Sequence, residues 1–125
     1  MRSIKQWCDH IVSWRIKKRF TTCWGNVPEK LMLTVTELSE AMEAYRKIPA
    51  LIQLVLGHKV AMRKFYSGPM YQKHKEVLDN FNEELADVAI RLFDLAGSLQ
   101  IDLEKEIRKK MKTNETRPQM HDKNC

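Results

Sequence analysis

Apolar and polar residues alternate with helical periodicity over most of the chain, and breaks rich in glycine and proline separate the periodic stretches. Residues Ser3 to Thr22, with Trp7, Ile11, Trp14 and Ile16, predict a first helix that ends ahead of Gly25 and the Asn26-Val27-Pro28 turn. Pro28 suits the start of a second helix, because its missing N–H falls where a helix has an unpaired donor. That helix carries Leu31, Leu33, Val35, Leu38, Ala41 and Met42 and stops near Lys47, ahead of Pro49. Ala50 to Tyr66, apolar at first and then basic, predicts a short helix or helical insertion, and Ser67-Gly68-Pro69 breaks the chain. From about Tyr71 the period holds through Leu99, with Leu85, Val88, Ile90, Leu92, Phe93 and Leu95 along it and Gly97 loosening its end. Asp102 can cap a further helix reaching about Met111.

Successive helices with short links predict an all-α bundle of four to five helices. Residues 1–112 read as a single domain in which 48–80 is a candidate insertion. Residues 113–125, polar and without an apolar period, read as a flexible tail. Both long helices have a wide apolar girth and a narrow polar row, so they should be buried on most sides. A chain of 125 residues has too little core to cover such a face around residues 84 to 99, which points to a homodimer or homotetramer.

Composition narrows the classes. The chain is 43% hydrophobic, enough for one modest core, and no apolar run approaches the roughly 20 residues of a membrane span. The N-terminal stretch lacks the apolar centre of a signal peptide. Cys8, Cys23 and Cys125 are odd in number and widely spaced, which fits a reducing compartment, so a cytoplasmic protein without membrane partners is expected. The net charge of +6 sits at the ends, in Arg15, Lys17, Lys18 and Arg19 and then in Lys105, Arg108, Lys109, Lys110, Lys112, Arg117 and Lys123. Basic ends around an acidic middle suit an anion that meets a divalent cation. They also suit nucleic acid, or simply a solvated tail.

The acidic middle holds two pairs with the same spacing, Glu37/Glu40 and Glu84/Asp87. Carboxylates at i and i+3 share a helix face. Brought together among apolar residues, four of them repel one another and lose hydration unless a cation sits between them. The alternative is ordinary helix polarity, with Arg91 and Asp94 making ion pairs along the second row. Other chemistries lack their residues. Gly25, Gly57, Gly68 and Gly97 form no GxGxxG or phosphate loop. No serine lies in GxSxG, and His10, His58, His74 and His121 form no HExxH or zinc cluster. An all-oxygen ligand set favours Mg²⁺, or Mn²⁺, over iron or zinc.

The run Pro28-Glu29-Lys30-Leu31-Met32-Leu33, then Glu37-Leu38-Ser39-Glu40-Ala41 and Glu83-Glu84-Leu85-Ala86-Asp87-Val88, resembles the ExxE and ExxD signature of the MazG-like all-α nucleoside triphosphate pyrophosphohydrolases. Lys110, Asn114, Arg117, Pro118, His121 and Lys123 resemble that family's C-terminal element. The likeness spans roughly residues 28 to 47 and 80 to 123. It departs in the long interval from Ala41 to Glu83 and in Asp122, where many relatives have glycine. The resemblance implies Mg²⁺-dependent hydrolysis of a nucleoside triphosphate between the α and β phosphates, to a monophosphate and pyrophosphate, with nucleotide-pool cleansing as the usual purpose. Glu37, Glu40, Glu84 and Asp87 would hold the metal, with Glu40 as the base that accepts a proton from water. Lys110, Asn114 and Arg117 would contact phosphates, and Trp24, Phe20 or Trp14 would stack on the base. Two other readings stay open: a related pyrophosphatase acting on dUTP or phosphoribosyl-ATP, and a non-enzymatic helical module that binds nucleic acid or protein. The resemblance makes nucleic acid the less favoured partner.

Overall fold

A computed structural model of the chain describes residues 1–56 and 68–118. Among them all regular structure is helical: α1 (Ile4–Lys17), a 3-10 turn (Trp24–Asn26), α2 (Val27–Arg46), α3 (Ala50–Leu56), α4 (Pro69–Lys73), α5 (Lys75–Ser98) and α6 (Leu103–Thr116). The described residues therefore carry the expected all-α class with more helices than the four or five anticipated. They fall into two compact units, Met1–Gly25 with the chain from Phe93 onward, and Asn26–Leu92.

In the first unit, α1 starts on a capping box: Ser3 Oγ accepts from the Gln6 N–H and the Gln6 side chain accepts from the Ser3 N–H. It ends at Lys17, short of the expected Thr22. The stop comes from the backbone of Arg19 rather than from Gly25. Arg19 is left-handed at φ 62°, and the Phe20 and Arg19 N–H groups donate back to the Arg15 and Ile16 carbonyls. The end of α5 repeats the device, with Gln100 at φ 57° and Ile101 and Gln100 donating to Ala96 and Gly97. Gly97, expected to loosen this helix, instead lies within it and admits α1. A Cβ there would stand 2.7 Å from Val12 Cγ2 and 3.1 Å from the Cys8 carbonyl oxygen. Cys8, Ile11, Leu95 and Ala96 are buried around this crossing. Beside it Arg15 and Asp94 form a buried ion pair at 3.1 Å, with the Thr22 hydroxyl donating to Asp94 at 2.8 Å. Asp94 thus pairs with α1, not along its own helix. Asp102 caps α6 as its position suggests, accepting from the Lys105 N–H, and α6 runs to Thr116, past Met111 and into the expected tail.

In the second unit Pro28 lies in the first turn of α2, as its chemistry favours. Ile48 and Ile52 are buried with Leu78, and Tyr71, Val77 and Phe81 pack around them. The Gln53 side chain donates to the Ile48 carbonyl oxygen and accepts from the Tyr45 hydroxyl, fixing α3 to the end of α2. The helix expected from Tyr71 onward is broken at His74, where the α4 cap donates to Met70 and Tyr71 carbonyls. Tyr71 and Lys75 both donate to Asp79 at 2.6 Å, which holds α4 to the first turns of α5 and keeps the Asp79 carboxyl below its ordinary value, Lys75 having the larger effect. Of the helix expected over 50–66, residues 50–56 form α3, and 57–66, His58 among them, lie outside the described residues.

Two substitutions test the first unit by thermal melting. Gly97→Ala overpacks the α1 crossing and lowers stability by about 1–3 kcal/mol. Gln100→Gly relieves a left-handed non-glycine residue and raises stability by about 1 kcal/mol.

Candidate metal centre

Helical spacing sets Ala41 and Ala44 on the face of α2 that carries Glu37. Both alanines are buried, and their small side chains draw that face inward, leaving Glu37 half-buried. On α5, Glu84 follows Val77 and Phe81 by two turns and one turn, so the core that anchors those residues also aims Glu84 inward. Asp87 and Arg91 continue the row. Glu37, Glu84 and Asp87 each offer a carboxylate oxygen, and the three lie within 4.8 Å of one another. The long interval from Ile48 to Asn80 does not keep the two acidic helices apart.

The burial is graded: Glu37 and Glu84 are half-buried, while Glu40 and Asp87 are exposed. Glu84 Oε2 is shielded from solvent and accepts no hydrogen bond from the described residues. A buried acceptor without a partner is costly, and a hard cation is one group that satisfies it together with the neighbouring carboxylates. Glu40 stands outside the close trio yet shares its field. Repulsion from Glu37, then desolvation and the charge of Glu84, raises its carboxyl above the ordinary value.

Sequence reasoning missed the positive partner of this cluster. Arg91 Nε donates to Glu37 Oε1 at 2.8 Å, joining α5 to α2 rather than pairing along its own helix. The signal was its place one turn beyond Asp87, on the acidic face; the cross-helix target was not readable from spacing within one helix.

The remaining site residues belong to the first unit. Lys110 and Asn114 are exposed one turn apart on α6, and Arg117 caps that helix with its N–H donating to the Asn114 carbonyl oxygen. His121 and Lys123 lie outside the described residues. Trp14, Phe20 and Trp24 are exposed among the described residues. The Arg15 guanidinium stacks 4.9 Å over the Phe20 ring, while Trp24 opens the 3-10 turn.

Against known proteins, no family model matches this chain, and no curated protein or solved structure matches it. What the chain does therefore has to be argued from its own residues. No helix among the described residues is long and apolar enough to cross a membrane.

Crowding of like charge has a direct consequence. With no metal added, Glu40→Gln removes a carboxylate that its neighbours disfavour in the folded state, so the variant melts at a higher temperature than the wild type at neutral pH. Differential scanning calorimetry after exhaustive chelation reads this, and an equal or lower melting temperature contradicts a shared field.

Proposed function

We propose that this chain is a magnesium-dependent nucleoside triphosphate pyrophosphohydrolase, with Glu37, Glu40, Glu84 and Asp87 as its metal centre. The observation that carries the reading is the convergence of three carboxylates from two helices, one of which, Glu84, has an oxygen shielded from solvent. Ordinary helix polarity explains exposed pairs along one helix; it does not explain acids from two helices meeting in a half-buried seam.

Glu37, Glu84 and Asp87 would hold a divalent cation, Mg²⁺ or Mn²⁺, which when bound would neutralise phosphate charge and make a water more acidic. Glu40, beside the trio and exposed to solvent, would accept the proton of the attacking water. Water oxygen bonds to the α-phosphorus as the bridging bond to the β-phosphate breaks, and pyrophosphate leaves. The family resemblance would assign phosphate contacts to three residues of the first unit, Arg117 as a fork, Lys110 as a point charge and Asn114 as an amide donor. By the same resemblance a base would stack on Trp24, Phe20 or Trp14, all three exposed.

Assembly is part of the proposal. Leu31, Val35, Leu38, Met42 and Tyr45 alternate four- and three-residue steps along α2, and each is between 42% (Tyr45) and 52% (Val35) exposed. That spacing makes one straight apolar seam. Leu38, Met42 and Tyr45 also border an apolar groove of about 320 Å³ with Phe81, and Leu85 and Leu92 stand exposed two turns apart on α5. The girth expected to be buried on most sides is thus left open among the described residues. A second copy covers it, as a row of this size invites a symmetric partner.

The decisive assay screens the eight common NTPs and dNTPs for pyrophosphate release with Mg²⁺ and with chelator. Release requires Mg²⁺, and Glu84→Gln and Asp87→Asn each lower it at least about 100-fold with the fold intact by circular dichroism. Full activity in both variants means the site is wrongly assigned. No release from any nucleotide, together with salt-sensitive DNA or RNA binding, hands the chain to the non-enzymatic reading. For the assembly, sedimentation gives a dimer or tetramer for the wild type and a monomer for Leu38→Glu.

A further inference from the structure

The metal-centre reading leaves one charged group at the cluster without a role. Arg91 lies on α5 one turn beyond Asp87 and two turns beyond Glu84, and its Nε donates to Glu37 Oε1 at 2.8 Å. The Glu37 side chain is 13% exposed and that of Arg91 27%, so solvent screens the pair only in part. Exposed ion pairs at i,i+4 or i,i+3 occur elsewhere, as Lys5 with Asp9 and Arg46 with Glu43, and contribute little. The Arg91 pair differs in three ways: it crosses between helices, it is mostly enclosed, and it ends on a carboxylate that also faces Glu84 and Asp87.

We infer that Arg91 is the built-in counter-ion of the acidic cluster, a positioning residue that holds Glu37 in place without metal and sets how tightly a free divalent cation binds. This rests on the metal-centre reading. The argument is electrostatic. Carboxylates from two helices are drawn into one seam, and a fixed guanidinium offsets part of their repulsion. The same positive charge opposes an incoming cation, whether that cation takes the other oxygen of Glu37 or displaces Arg91 from the first. A site with its own counter-ion binds free cation weakly. It holds the cation better when an anion arrives as well, because phosphate oxygens give the guanidinium a second partner that it can engage as a fork.

Mn²⁺ titrations followed by electron paramagnetic resonance test this on wild type, Arg91→Gln and Arg91→Lys, without nucleotide, alongside melting of the three metal-free proteins. Arg91→Gln binds Mn²⁺ about tenfold more tightly than wild type and melts lower without metal, because both the competitor and the counter-ion are gone. Arg91→Lys keeps the charge and stays within about threefold of the wild-type affinity, with an intermediate melting temperature. An arginine that merely braces two helices gives the opposite sign: its loss loosens Glu37 and weakens Mn²⁺ binding. Equal or weaker binding in Arg91→Gln therefore overturns the inference while leaving the metal centre standing. No Mn²⁺ binding in any of the three proteins overturns the metal centre, and the inference with it. If Arg91→Gln proves too unstable to titrate, Arg91→Met, which keeps the apolar length of the side chain, takes its place.

Discussion

Carboxylates gathered where two helices meet repel one another, and the second unit is arranged around that constraint. Ala41 and Ala44 let the inner face of α2 sink, which carries Glu37 into the seam, and the Leu78 to Phe81 stretch of α5 turns Glu84 toward it. Burial of negative charge normally drives carboxyls to take up protons or acids to stay apart. Here the packing that stabilises the unit brings them together, and two features absorb the strain: Arg91 neutralises Glu37, and Glu40 is displaced to the exposed rim, where its carboxyl is raised. Local packing is thus spent on holding a charge arrangement that the helices alone would not choose.

The sequence made much of this visible through rules that act within a few residues. Pro28 at the start of α2 and Asp102 as the cap of α6 were readable because each acts on the backbone of its own turn. The acidic pairs were readable because i,i+3 spacing fixes a common face whatever surrounds it. What escaped depended on partners distant in the chain or on unfavourable backbone. Arg19 and Gln100 end their helices in a left-handed conformation that neither residue type advertises. Asp94 and Arg91 looked like members of one polar row on α5; in the fold one pairs with Arg15 and the other with Glu37, on different helices in different units.

Apolar girth was legible as a property of α2 and α5, but not where it would be satisfied. Periodicity reports that a face is apolar, not whether the same chain covers it. On α2 the two outcomes lie side by side: Ala41 and Ala44 are buried within the unit, while Leu38, Met42 and Tyr45, about a third of a turn round the helix, stay open. The small residues face inward because the carboxylate seam demands close approach. The large ones are left to line the outside. Carboxylate seam and open row are therefore consequences of one choice of helix rotation.

That shared origin ties chemistry to assembly. Rotating α2 to bury Leu38 and Met42 within the chain would carry Glu37 out of the seam, away from Glu84 and Arg91, and leave the carboxylates as ordinary surface acids. Keeping Glu37 in the seam exposes the apolar row. A sequence free to choose would have made that row polar, since leucine, valine and methionine at half exposure gain nothing in a monomer. Their presence at unbroken four- and three-residue steps alongside the carboxylates is what joins the two halves of the proposal: the open apolar face is the cost of aiming the acids at one another.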